Sequence, residues 1–193
     1  MRLLFIAILF VLGAGVIFSC NKYKDPAATT DPRLTKPYCN DPAAVNYNWD
    51  FPGKPDNSVC FYPSDLFVGT YYLRDTVTIA SSGFFISADS FFVTITRTST
   101  TDKAKVGMRG DFCGPGSNFY LQMTATASYT ANVDTTIGDT LTPHSGQQFC
   151  HIYDTINGQI TRDRISDSVV FINLQVYSDT TTYTHQGRAV KQK

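Results

Sequence analysis

The chain has 193 residues, 42% of them apolar, and its 16 Lys and Arg balance its 16 acidic residues at a net charge of zero. That length allows one ordinary domain plus a small module, and the even balance excludes the basic footprint of a nucleic-acid-binding protein. All sixteen acids are aspartates and no glutamate occurs; Asp favours turns and caps, whereas Glu favours helix interiors. Thr, Tyr, Phe and Val are plentiful and suit pleated strands, so composition points to an all-β chain.

Met1-Arg2 opens the chain, and an apolar run follows from Leu3 to Phe18. One positive charge before a short hydrophobic core reads as a secretory signal over residues 1–19. The run is shorter than the roughly 20 residues of a spanning helix and contains Gly13 and Gly15. Ile17-Phe18-Ser19-Cys20 resembles the lipobox of bacterial lipoproteins, in which a small residue precedes a cysteine. The resemblance implies that Cys20 is acylated and becomes the mature N-terminus. The lipid bilayer is then the first partner, and the cell envelope at the outer membrane is the place of work. Residues 20–36 are polar, with Pro26 and Pro32, and read as a flexible tether.

Four further cysteines remain: Cys39, Cys60, Cys113 and Cys150. An even number in an exported chain suggests disulfides. Of the three possible pairings, Cys39–Cys60 with Cys113–Cys150 is favoured, because each then closes one local loop. A four-thiolate metal site is the alternative, and no C-x-x-C spacing supports it. Residues 37–63 form the first module. Cys39-Asn40-Asp41-Pro42-Ala43-Ala44-Val45-Asn46-Tyr47-Asn48, closed by Asp56-Asn57-Ser58-Val59-Cys60, resembles a short disulfide module of Bacteroidota surface and secreted proteins. So short a segment buries no core of its own and needs its disulfide. Asp41, Asp50 and Asp56, with nearby Asn side chains, offer oxygens that suit Ca²⁺. Capping of turns beside Pro and Gly explains the same residues.

The second domain spans 65–193. Strands are predicted at Phe67–Ile79, Phe84–Ile86 continuing to Phe91–Thr98, Ala104–Arg109, Phe119–Tyr129, Gln147–Tyr153, Gly158–Thr161, Ser168–Tyr177 and Thr182–Val190. Their alternating pattern is that of half-buried strands, and turn signals separate them, Asn157-Gly158 being a strong hairpin signal. About eight short antiparallel strands in sequence favour a meander closed as a barrel, with a β-sandwich as the alternative. Asp65-Leu66-Phe67-Val68-Gly69-Thr70-Tyr71 is similar to the opening of lipocalin-like lipoprotein domains from Bacteroidota. That resemblance implies an up-and-down barrel. Lipocalins proper carry Trp where this chain has Tyr71, and a basic residue near the end of the last strand packs across it; the resemblance gives that role to Arg188.

Catalytic patterns are missing from the sequence. The three histidines, His144, His151 and His185, lie at no metal-protease spacing, and no nucleophile elbow occurs. His144 is expected in a loop and His151 on a strand. No cofactor is expected, and no enzyme activity. The aromatic residues Tyr71-Tyr72, Phe84-Phe85, Phe91-Phe92, Phe112 and Phe119-Tyr120 admit three readings: core packing, a cavity for an apolar ligand, or an exposed binding surface. Six Asp-Ser/Thr triplets place Thr76, Thr135, Thr140, Thr155, Ser168 and Thr180 in a pattern that resembles the O-glycosylation sequon of Bacteroidota; Asp-Thr turn chemistry is the alternative. The expected function is a non-enzymatic binding or accessory role at the envelope. Its rivals are a lipocalin-like carrier of a hydrophobic small molecule and a structural subunit of a cell-surface assembly, with a surface protein as partner.

Overall fold

The computed structural model describes residues 31–135 and 146–193. The signal segment 1–19, Cys20, tether residues 21–30, Thr140 and His144 lie outside the described residues. The strands, in chain order, are β1 (Pro37–Tyr38), β2 (Lys54–Pro55), β3 (Gly69–Ile79), β4 (Phe85–Arg97), β5 (Lys105–Gly110), β6 (Phe119–Ala125), β7 (Thr130–Val133), β8 (Gln147–Gln148), β9 (Thr155–Arg162), β10 (Val169–Ser178) and β11 (Thr181–Lys191).

Eight of these strands, β3–β7 and β9–β11, follow one another up and down, every neighbour antiparallel. Pairing of β11 with β3 closes the sheet, so the domain is a barrel and not a sandwich. The short β8 is an added strand on the edge of β9. Period-two patterning decides which side chains enter the barrel. On β3, Tyr71, Leu73 and Asp75 are buried, while Thr70, Arg74 and Thr76 are exposed. On β10, Val170, Ile172, Leu174 and Val176 face in, and Phe171, Asn173 and Gln175 face out.

The barrel is filled at one end. There the core packs Tyr71, Leu73, Val93, Ile95, Met108 and Leu121 with Ile160 and Ile172. Each fully buried side chain of this size contributes about 1.5–3 kcal/mol. A 3-10 turn at Pro63–Leu66 leads into Phe67, and Leu66 and Phe67 cap this end as a floor. Tyr71 donates its buried hydroxyl to the Phe67 carbonyl at 2.7 Å, which fixes the turn to β3.

Three local expectations need correction. The strand predicted over Phe119–Tyr129 ends at Ala125, and a turn reaches β7. Thr126 shares hydroxyl hydrogen bonds with Ser128 and Thr130 there, and such local bonds compete with the ladder. Of the stretch Gln147–Tyr153 only Gln147–Gln148 is paired. Asn157-Gly158 is not a hairpin; it lies inside β9, which runs on to Arg162. Gly158 has φ +126°, and a Cβ there would stand 2.4 Å from the Asn173 carbonyl oxygen. The glycine therefore permits close approach of β10.

The small module packs against the closed end. Cys39–Cys60 joins its two halves, with Cα atoms 4.9 Å apart. Its only sheet is the two-residue parallel pair of β1 and β2. Edge-to-face pairs Tyr38–Phe51 (5.6 Å) and Trp49–Phe61 (5.7 Å) add apolar contact, and Val45 and Phe61 rest on the barrel core. An ion pair between Arg97 and Asp65 and a bond from the Ser64 amide to the Lys103 carbonyl (3.2 Å) tie the junction to the floor. Within the expected tether, Pro32–Thr35 form an exposed 3-10 turn capped by the Asp31 carboxylate.

Candidate functional site: the open end of the barrel

The opposite end of the barrel is hollow, and strand lengths explain why. The long β3 and β4 pair from Gly69↔Ile95 up to Thr78↔Phe85, with a bulge after Val77. β5 accompanies β4 only between Val93 and Arg97. Residues 85–92 therefore pair on one side alone, with β3, and this half of β4 forms an arm at the edge of the wall, while β3 stays paired with β11 up to Ile79. β5 stops at Gly110, and residues 111–118 form a loop before β6. Cys113–Cys150 ties this loop to the segment before β9, with Cα atoms 5.4 Å apart.

Between arm and loop lies a cavity of about 460 Å³, within the roughly 300–1,000 Å³ of small-molecule sites. Its apolar wall is made by Val77, Ile86, Phe91, Phe112, Val176 and Tyr183. Phe91 and Phe112 meet edge to face at 5.0 Å, a favoured aromatic geometry.

The polar wall centres on Asp75 and His185. Closure of β11 on β3 brings them together across 110 positions of sequence, and His185 Nδ1 donates to Asp75 Oδ2 at 2.6 Å. Both side chains are buried, at 3% and 9% exposure for Asp75 and His185. A carboxylate only accepts, so the bond puts a proton on Nδ1. The rings of Phe112 and Phe149 flank the imidazole at 6.4 and 5.9 Å. Asp75 Oδ1 is buried and has no hydrogen-bond partner among the described residues. Asp89 and Asp111 line the same space. The backbone amides of Gly116 and Asn118 hold the Asp111 carboxyl below the usual carboxylate range.

The structure distributes the sequence-predicted residues as follows. The two disulfides are Cys39–Cys60 and Cys113–Cys150, as favoured. The aromatic residues fall into all three roles: Tyr71 is core, Phe91 and Phe112 line the cavity, and Phe84, Phe85 and Phe92 are exposed. Asp41 caps the Ala43 amide and accepts from the Tyr62 hydroxyl, and Asp56 caps Ser58. With Asp50 they make no group of three metal-ligating side chains among the described residues. Thr76, Thr135, Ser168 and Thr180 are exposed. Thr155 is 1% exposed with its hydroxyl enclosed, so the folded barrel does not offer it for glycosylation. His151 is exposed in a turn and not on a strand.

The basic residue across Tyr71 is Lys191, not Arg188. In the register of β11 on β3, Lys191 is opposite Tyr71 and Arg188 is opposite Arg74, and Arg188 points outward to solvent. His185 carried no signal of its role, because its partner is set only by ring closure. The alternation of β3 could have singled out Asp75, since it places a carboxylate among Tyr71, Leu73 and Val77 on the inner face.

No family model and no curated protein matches the chain. Among solved structures, it is similar to that of EF1p2_mFAP2b bound to DFHBI, at 16% identity and a TM-score of 0.45, over 67% of this chain and 97% of that one. It is similar to a redesigned beta barrel at 15% identity and a TM-score of 0.40, over 68% and 96%. A protein with unknown function from the DUF3598 family of Nostoc punctiforme matches at 7% identity and a TM-score of 0.43, over 68% of this chain and 50% of that one.

Proposed function

We propose that the chain is a lipid-anchored envelope lipoprotein whose barrel binds a small, largely apolar molecule in its hollow half, without turning it over. The observation that carries this reading is the half-filled interior. A barrel needing only stability would pack both ends, as this one does at its floor. Here the inward-facing positions of β3, β4, β10 and β11 line about 460 Å³ of space instead. Apolar walls with a few convergent polar groups are the usual make-up of a ligand site. The anchoring part of the reading rests on the sequence at Ile17–Cys20.

Native mass spectrometry of the full chain purified from its host tests the binding role. A co-purifying small molecule is expected, and its loss in Ser87→Trp, which plugs the cavity wall, would place it in the barrel. Wild-type chain that repeatedly carries no adduct and binds no apolar probe overturns the reading. For the anchor, Cys20→Ala is expected to abolish lipid processing and detergent-phase partitioning; unchanged partitioning overturns it.

A further inference from the structure

Asp75 and Asp89 are direct cross-strand partners on β3 and β4, and both line the cavity. Like charges directly opposite each other destabilise an antiparallel pair. Asp111 brings a third carboxylate from the loop, and His185 is the one basic group of the wall among the described residues. The wall carries a net charge of −3 with neutral His185, from three carboxylates, and −2 if the imidazole is protonated. Asp75 adds the sharper signal. Its side chain is 3% exposed, one oxygen is held by His185, and the other is enclosed without a hydrogen-bond partner among the described residues. A buried carboxylate oxygen left without a donor is costly.

The possible occupants differ in how they meet this wall. A fatty acid or other organic anion adds like charge to it. A neutral apolar molecule leaves the buried Asp75 charge uncompensated and the Asp75–Asp89 repulsion in place. A bare metal ion finds no group of three ligating side chains among the described residues, and the apolar wall gives it nothing. An ammonium group on an aromatic or alkyl body answers each feature. Its N–H reaches the exposed Asp89 carboxylate, its charge relieves the Asp75–Asp89 pair and offsets the enclosed charge of Asp75, and its body covers Phe91, Phe112 and Tyr183. We infer that the cavity of this barrel takes an amphipathic organic amine, bound as a cation between Asp75 and Asp89. The inference rests on the binding role proposed above and names the ligand class.

The test uses the full chain and two probes that share one fluorophore, dansylcadaverine with a primary ammonium and its neutral N-acetyl derivative, read by dansyl fluorescence polarisation. The ammonium probe is expected to bind tighter by about tenfold or more, the scale of a charge-assisted hydrogen bond in a desolvated site. Asp75→Asn keeps the shape and an acceptor for His185, and is expected to erase that preference. Asp89 is exposed and makes no side-chain hydrogen bond or ion pair among the described residues, so Asp89→Asn serves as a second variant; it is expected to reduce the preference and its salt dependence while the chain stays folded. Equal binding of the two probes, or tighter binding of the neutral one, overturns the amine inference and leaves the binding role standing. A preference that survives both variants also overturns it. Failure of both probes to bind overturns the inference; the binding role falls with it only if the purified chain also carries no co-purifying molecule.

Discussion

Lys191 lies over the ring of Tyr71, with its ammonium 5.9 Å from the ring centroid, and donates to the Val68 carbonyl at 2.7 Å. The first and last barrel strands are thus latched at the floor by one side chain from each. Gly69 makes room for the latch: its φ is +153°, and a Cβ there would stand 2.4 Å from Lys191 Cε. Tyr71→Phe is expected to cost about 1 kcal/mol, because the buried Phe67 carbonyl loses its donor. Gly69→Ala is expected to cost at least about 1 kcal/mol through backbone strain. Urea midpoints at constant m-value check both. Burial pushes the Tyr71 phenol up. Its contribution is therefore whole below the unfolded value near pH 10 and is lost as pH rises through the raised folded value. Tyr71→Phe is expected to flatten the alkaline limb of the stability profile, and an unchanged limb would deny the phenol that role.

Cys113–Cys150 holds the loop that forms one lip of the cavity, and it spans 37 positions. The chain-entropy relation puts its worth at about 4 kcal/mol. In the Cys113→Ala, Cys150→Ala double variant, hydrogen exchange is expected to rise first in residues 111–118 and 149–154, with probe binding weakened. Leu73 and Ile172, in the packed half, should keep their protection in the native state. If protection at Leu73 falls together with the loop, the bond supports the whole barrel and not the lip.

Asp41 links the small module to the junction through the Tyr62 hydroxyl at 2.9 Å. Its carboxyl sits below the ordinary range, held there first by the Ala43 amide and then by Tyr62. Asp56 is lowered likewise by Ser58. Groups depressed in the fold stabilise it above their unfolded value near 4 and lose that effect as pH falls through the folded value. The module should therefore loosen at acid pH before the barrel does. Limited pepsin digestion between pH 5 and pH 2 is expected to cut first within residues 40–59; Asp41→Asn should show that sensitivity already at pH 5. Simultaneous cutting in β10 would contradict the order.

Much of the barrel was legible because burial alternates along most of β3 and β10, and burial of one face leaves little freedom of register. The disulfide pairing followed from loop locality. What misled was residue chemistry with two uses. Asn157-Gly158 signals a turn, yet Gly158 serves close packing of β9 on β10. Arg188 is a basic residue near the chain end, yet a three-residue difference in register gives its expected place to Lys191. The Asp75–His185 contact had no local signature, since neither residue has a neighbour in sequence that reveals the other. Asp89 was equally silent: on its own it reads as a polar break in a Phe- and Ser-rich strand.

A vessel with ballast at one end and an empty bowl at the other separates two kinds of selection. Substitutions in the ballast change whether the chain folds. Substitutions at positions 77, 86, 87 or 89 on the bowl are expected to change the shape and charge of the cavity, at small expense to folding. Under the proposed binding role, such a scaffold acquires a new cargo by drift at the rim, one side chain at a time.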